Sequence, residues 1–190
     1  MKKLILLGAA FLTLSAFDVA NNTWKNDPAH SQLGFTVTHL GVSDVSGTFN
    51  DFQTTVTSAR PDFSDAKFEL SAKTASIDTR VEARNNHLKS ADFFDAEKFP
   101  TFTYSSTGIK KTSKDHYKLT GNLTLHGVTK PVTTEVIFRG STVNPMSKKQ
   151  TVGFQLTGTI KRSEFGIGEK FPEAMVSDEV RIKADGEFAQ

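Results

Sequence analysis

Five histidines, at positions 30, 39, 87, 116 and 126, are the side chains best suited to proton transfer or metal ligation in this chain. No two of them stand at the i, i+4 spacing of a helical chelate or the i, i+2 spacing of a strand chelate, and no cysteine is present to add a thiolate. The expectation is a protein with no metal and no cofactor. The missing cysteines also exclude a thiol nucleophile, a disulfide framework and lipid attachment through an N-terminal cysteine. The sequence has no glycine-flanked serine elbow and no phosphate-cradling glycine loop. Asp78, Asp92 and Asp95 flank a predicted helix, where carboxylates more often cap or turn the backbone than pair for acid–base work. No catalytic residue is assigned. His39, Arg84, His87 and Arg162 remain as candidate polar contacts. An arginine at the rim of a cavity could hold a phosphate or carboxylate, and it could equally anchor a loop through its carbonyls.

The elements that must position these groups are strands, because apolar residues recur at spacing two far more often than at three or four. Eight runs stand out. The first carries Leu33, Phe35 and Val37 on one face. The second starts near Val45 and includes Phe49 and Phe52, whose odd spacing across Asn50 and Asp51 predicts a bulge. The third alternates Ala66, Phe68, Leu70 and Ala72 with polar residues, and the fourth spans Thr101 to Ser106. The fifth is the most regular: Tyr117, Leu119, Gly121, Leu123 and Leu125 face one way, and Lys118, Thr120, Asn122, Thr124 and His126 the other. Val132 to Phe138, Val152 to Ile160 and Val180 to Phe188 complete the set. Such runs, joined mostly by short turn-rich segments, imply an antiparallel barrel or sandwich.

One stretch departs from this period. Thr79-Arg80-Val81-Glu82 has the spacing of a helix capping box and good helix formers follow to Lys89, which predicts one short helix. Phe93, Phe94 and Phe99, in the irregular segment from Ser90 to Pro100, are expected to plug one end of the sheet. Asn144 to Gln150 reads as an exposed loop.

At the N-terminus Lys2 and Lys3 precede an uncharged run from Leu4 to Phe17, followed by small residues. That is the layout of a secretory signal, with cleavage after residue 16 or 20, and the run is shorter than the ~20 residues of a membrane-spanning helix. The whole chain has a formal charge of +2. Removing both lysines brings it to zero, and removing Asp18 as well leaves +1, so no excess of charge points to nucleic acid or an anionic membrane. Residues 21–190 are expected to form one domain.

Four segments, in order, resemble the YceI-like family. They are Trp24, Asp27-Pro28, His30-Ser31, Phe35, Val37 and His39-Leu40; Ser76-Ile77-Asp78-Thr79, Arg84, His87-Leu88, Ser90, Asp92-Phe93-Phe94 and Phe99-Pro100; Gly121 to Lys130; and Arg162, Glu164 and Phe165-Gly166. The resemblance implies an all-β fold, an eight-stranded antiparallel lipocalin-like barrel with one short helix, located in the periplasm and holding a polyisoprenoid or other lipid. The family pattern places an acid directly after the arginine of the second segment, where this chain has Asn85.

The inward faces of the runs then supply the expected ligand wall: Phe35, Val37, Phe49, Phe68, Leu70, Leu119, Leu123, Val136, Phe154, Leu156 and Ile182. Sixteen phenylalanines against one tryptophan and two tyrosines suit a cavity for a chain that makes no hydrogen bonds, and equally a filled core. The sequence reading is therefore an exported binder or carrier of a long apolar lipid. An enzyme acting on a lipid or small apolar substrate at the barrel mouth stands as the alternative.

Overall fold

The computed structural model describes residues 21–190; the expected secretory signal lies outside the described residues. Among the described residues ten strands follow one another: β1 (Asn22–His39), β2 (Ser43–Phe49), β3 (Phe52–Ser58), β4 (Lys67–Lys73), β5 (Ile77–Asp78), β6 (Thr101–Ser113), β7 (His116–Leu125), β8 (Val128–Val143), β9 (Gln150–Lys161) and β10 (Glu179–Ala189). One helix, α1 (Glu82–Lys89), and two 3-10 turns complete the set. All strand pairs are antiparallel, and β10 returns to β1, so the sheet closes on itself.

The eight sequence runs map onto eight staves of this barrel. The long β1 pairs with β2 along Leu33–His39 and with β3 along Asn22–Lys25. β2 and β3 are thus one stave broken at Asn50 and Asp51, where the spacing of Phe49 and Phe52 predicts a bulge. Beyond the break β3 continues to β4, whereas β2 turns away and pairs only with the two residues of β5 on that side. The strands outlast their apolar runs: β6 continues to Ser113 through threonines and lysines, because ladder hydrogen bonds persist where the side chains have reached solvent. In β7 the burial alternates as the sequence does, with Tyr117, Leu119, Gly121, Leu123 and Leu125 inward and Lys118 outward. Gly121 is needed because a Cβ there would lie 2.5 Å from the Tyr104 ring and hydroxyl. Burial pushes that hydroxyl up to about 12, so it stays protonated.

The predicted capping box does not form. The residue preceding α1 is Val81, which offers no side-chain cap, and Thr79 lies outside the helix in a different network. Asn85 Oδ1 accepts from the Thr79 amide at 2.7 Å and hydroxyl at 2.6 Å, while Asn85 Nδ2 donates to Asp78 at 2.9 Å. An amide can serve as donor and acceptor at once, and a carboxylate in its place could not donate. The departure at Asn85 therefore has a local structural reason: it staples α1 to β5.

Candidate binding cavity

The barrel is filled in one half and hollow in the other. Its lower half is closed by the loop of residues 59–66, which folds inward and buries Phe63 against Trp24, Phe138 and Phe154, with ring centroids 4.9–5.0 Å apart. Phe63 adopts φ 57°, a left-handed conformation that costs a bulky residue free energy which burial of the ring offsets. The loop is held by Asp65, whose carboxylate accepts from the Ser58 hydroxyl and the amides of Ala59 and Arg60. Desolvation raises the Asp65 pKa, but these hydrogen bonds, together with one from its own backbone amide, outweigh it and hold the group below the usual carboxylate range. The Tyr117 hydroxyl donates to the Asp62 carbonyl and fastens the loop to β7.

Above this layer lies a cavity of about 440 Å³ with a nearly wholly apolar wall. Of the predicted wall residues, Phe35, Val37, Phe49, Phe68, Leu70, Leu123, Val136, Phe154, Leu156 and Ile182 line it. Leu119 does not: it is fully buried in the filled half, because the inward face of a stave passes through both halves and alternation alone carries no depth. Phe49 sits at the centre of an aromatic group with Phe102 at 4.7 Å, Phe35 at 5.7 Å and Phe94 at 5.8 Å. Phe102 and Phe94 were legible as inward or plugging residues, yet not as cavity wall. Phe171, Met175 and Val176 also line the cavity and come from the irregular segment 166–178, which has no period to read.

The upper end is covered by two segments outside the sheet, α1 with the chain that follows it and residues 166–178. They meet where Phe93 stacks on Phe171 at 4.7 Å and 15°, with the His87 ring edge-on to both. Asp92 fastens the contact, accepting from Lys170 Nζ at 2.6 Å and His87 Nε2 at 3.3 Å. Lys170 first, then His87, holds the Asp92 carboxyl below its usual range. Phe99, the third predicted plug, packs on His126 beside the β7–β8 turn and does not line the cavity.

All four candidate polar contacts reach the cavity wall, but they differ in what they have left to offer. The Arg162 guanidinium is buried and its five N–H groups all go to backbone carbonyls: Nε to Ser177, Nη1 to Ile167 and Gly168, and Nη2 to Phe171 and Val176, at 2.6–3.2 Å. Arg162 is the hub on which segment 166–178 is wound, with no donor left for a ligand. Arg84 gives Nε to the Thr79 hydroxyl and Nη2 to the Thr79 carbonyl, both at 2.8 Å, leaving Nη1 uncommitted among the described residues. His39 is exposed at the rim and makes no side-chain hydrogen bond among the described residues. His87 is engaged with Asp92, five residues on, rather than with a residue next to Arg84.

The fold also assembles a group that histidine spacing could not show. One ligand atom each of Asp27, His30 and Glu187 lie within 4.8 Å of one another on the β1–β10 seam, and none lines the cavity. Asp27 and His30 already form an ion pair at 2.7 Å, which raises the imidazole pKa and lowers the carboxyl pKa.

The YceI-like domain model matches residues 24–188, nearly the whole of the described barrel. The chain belongs to the YceI-like family. A UPF0312 protein of Staphylococcus aureus is 38% identical over 169 residues, covering 86% of this chain and 95% of the relative. One from Azotobacter vinelandii is 35% identical over 184 residues, covering 96% and 94%. Among solved structures, Burkholderia cenocepacia BcnA superposes with a TM-score of 0.77 at 27% identity, over 85% of this chain and 98% of that one. A Saccharophagus degradans domain described as polyisoprenoid-binding superposes at 0.68 with 14% identity, over 88% and 97%, a likeness of fold. The YceI-like chain therefore has the eight-stranded barrel that its runs imply. The printed names of these relatives describe no reaction, and the wall of the cavity is apolar apart from a few polar side chains.

Proposed function

We propose that this YceI-like protein is exported, loses its first 16 to 20 residues as a secretory signal, and in the periplasm binds and carries a long-chain apolar lipid, specifically a polyisoprenoid. The observation that carries this reading is the blind apolar cavity, floored by the Phe63 layer and walled by phenylalanine, leucine and valine from the staves. Such a site binds a tail by removing it from water, at about 0.8 kcal/mol per CH₂ less the cost of ordering the chain. The fold shared with the polyisoprenoid-binding domain of Saccharophagus degradans supports the ligand class.

The tail enters end first, since the floor is sealed, and a polar head remains at the rim. His39 and the free Nη1 of Arg84 are the groups we assign to it, with His87 beside them; Arg162 is committed elsewhere. Because the hollow half is shorter than the staves, affinity rises with chain length and then levels off once the floor is reached.

Organic extraction of protein purified from the cell that makes it, followed by mass spectrometry, tests the reading. An isoprenoid is the expected extract. Titration of stripped protein with a graded series of isoprenoid alcohols and fatty acids should show the rise and plateau; flat affinity, or no binding by any member, would reject lipid carriage. N-terminal sequencing that found Met1 intact would reject export.

A further inference from the structure

Among the described residues six large apolar side chains are exposed, and three of them stand together at the end opposite the Phe63 layer. Leu40 and Val42, on the turn joining β1 to β2, are 53% and 83% exposed, and Met175, in segment 166–178, is 43% exposed. Backbone hydrogen bonds fasten the three together: the Leu40 amide donates to the Met175 carbonyl at 2.9 Å, and the Val42 amide to the His39 carbonyl at 3.1 Å. A β-bridge joins His39 to Val176 at the same place. His39, Met175 and Val176 line the cavity, so the lip borders the cavity wall. At the opposite, sealed end Val143, the last residue of β8, and Met146, on the loop that follows, are exposed and do not line the cavity.

We propose that the lip formed by Leu40, Val42 and Met175 docks on the surface of a lipid bilayer, with the cavity opening toward the hydrocarbon. The inference rests on the lipid-carrying reading above. A tail passing between a bilayer and the cavity is exposed to water unless the opening sits at the apolar boundary, and side chains inserted there bring it to that position. The charges beside the lip say which bilayer. Asp44 is paired with Arg181 at 2.6 Å and Asp92 with Lys170 at 2.6 Å, while Arg84 at the cavity rim is balanced by Glu173, two residues before Met175. This surface has no excess of positive charge to seek anionic headgroups, so the contact is made by apolar insertion into a zwitterionic surface and is insensitive to salt.

The test uses protein from its own compartment, phosphatidylcholine vesicles and a dansyl-labelled fatty acid. The doubly substituted Leu40→Asp, Val42→Asp protein should lose at least tenfold in vesicle partition and slow the transfer of the fatty acid between vesicles, with its equilibrium affinity for that fatty acid in solution unchanged. Neither position lines the cavity. Met146→Asp, at the sealed end, should partition as the parent does, and raising the salt should change neither protein. Equal partition of the double variant and the parent would overturn the proposal, as would an equal loss in Met146→Asp. So would a requirement for anionic lipid, or a dimer of the parent protein in sedimentation that the double variant abolishes, which would give the lip to a second copy of this chain. Vesicle binding that depends on the lip, in a protein that binds no member of the lipid series, would reject carriage and leave the docking surface standing.

Discussion

Both ends of the barrel are closed by phenylalanine, and they differ in what holds the ring in place. At the sealed end Phe63 stands inside the closed sheet, with aromatic neighbours on β1, β8 and β9, and Asp65 holds the loop that carries it. At the other end, under the lid, Phe93 and Phe171 stack on each other from two segments outside the named strands. Their support is polar: the Arg162 hub, the Asn85 staple and the Asp92 contact. Burial inside a closed sheet can be undone only by opening the sheet. A lid held by exposed ion pairs and loop carbonyls can open locally at a lower free energy, which is what a site that must admit and release a ligand requires.

The largest effect is expected at the hub. Arg162→Ala leaves five buried or half-buried carbonyls without their donor and should destabilise the protein by on the order of 4 kcal/mol in chemical denaturation. Arg162→Lys should not restore it, because three donors on a single nitrogen cannot reproduce the fork; a lysine variant as stable as the parent would refute the hub.

Phe63→Ala should cost about 3 kcal/mol by leaving a void in the filled half. It also sharpens the contrast between the ends, since the void adjoins the cavity at Phe154: the plateau of affinity in the lipid series should move to longer chains. A lower melting temperature with the plateau unmoved would show that the floor does not set ligand length.

Asp65 links the sealed end to pH. Its folded pKa is lowered, so its contribution is present above the unfolded value of about 3.9 and is lost as the pH falls through the folded value. Asp65→Ala should cost about 1–2 kcal/mol at neutral pH, and the gap between variant and parent should close in acid. A gap that stays constant down to the lowest pH at which both fold would exclude the carboxylate as its origin.

Asp92→Asn, at the lidded end, removes solvent-screened charge pairs and should leave the melting temperature almost unchanged. Its effect belongs in kinetics: stopped-flow release of a bound fluorescent fatty acid should be faster than in the parent. Lys118→Ala, on the outward face of β7, should lie within about 0.5 kcal/mol of the parent and sets the floor of the series.

How much of this was legible in the sequence depends on whether a feature repeats along the chain. β7 could be read residue by residue, since a strand with one buried face must alternate, and the break of the second stave showed in the spacing of Phe49 and Phe52. Thr79 misled, because a capping box is defined by residue type at a spacing, and the same threonine found better partners in Asn85 and Arg84. Arg162 was visible as a residue to watch. Its five partners lie in a segment with no period, so its role as hub was not.

The eight staves, their inward faces, the helix and the membership of the family could be read from the residues, because each is written in local alternation or in ordered motifs. Tertiary structure alone decided where the filled half ends and the cavity begins. Leu119 and Leu123 share a strand, a face and a residue type, yet only Leu123 meets the cavity. What separates them is whether a loop from elsewhere in the chain, carrying Phe63, folds inward at their level, and that depends on three-dimensional packing rather than on either residue.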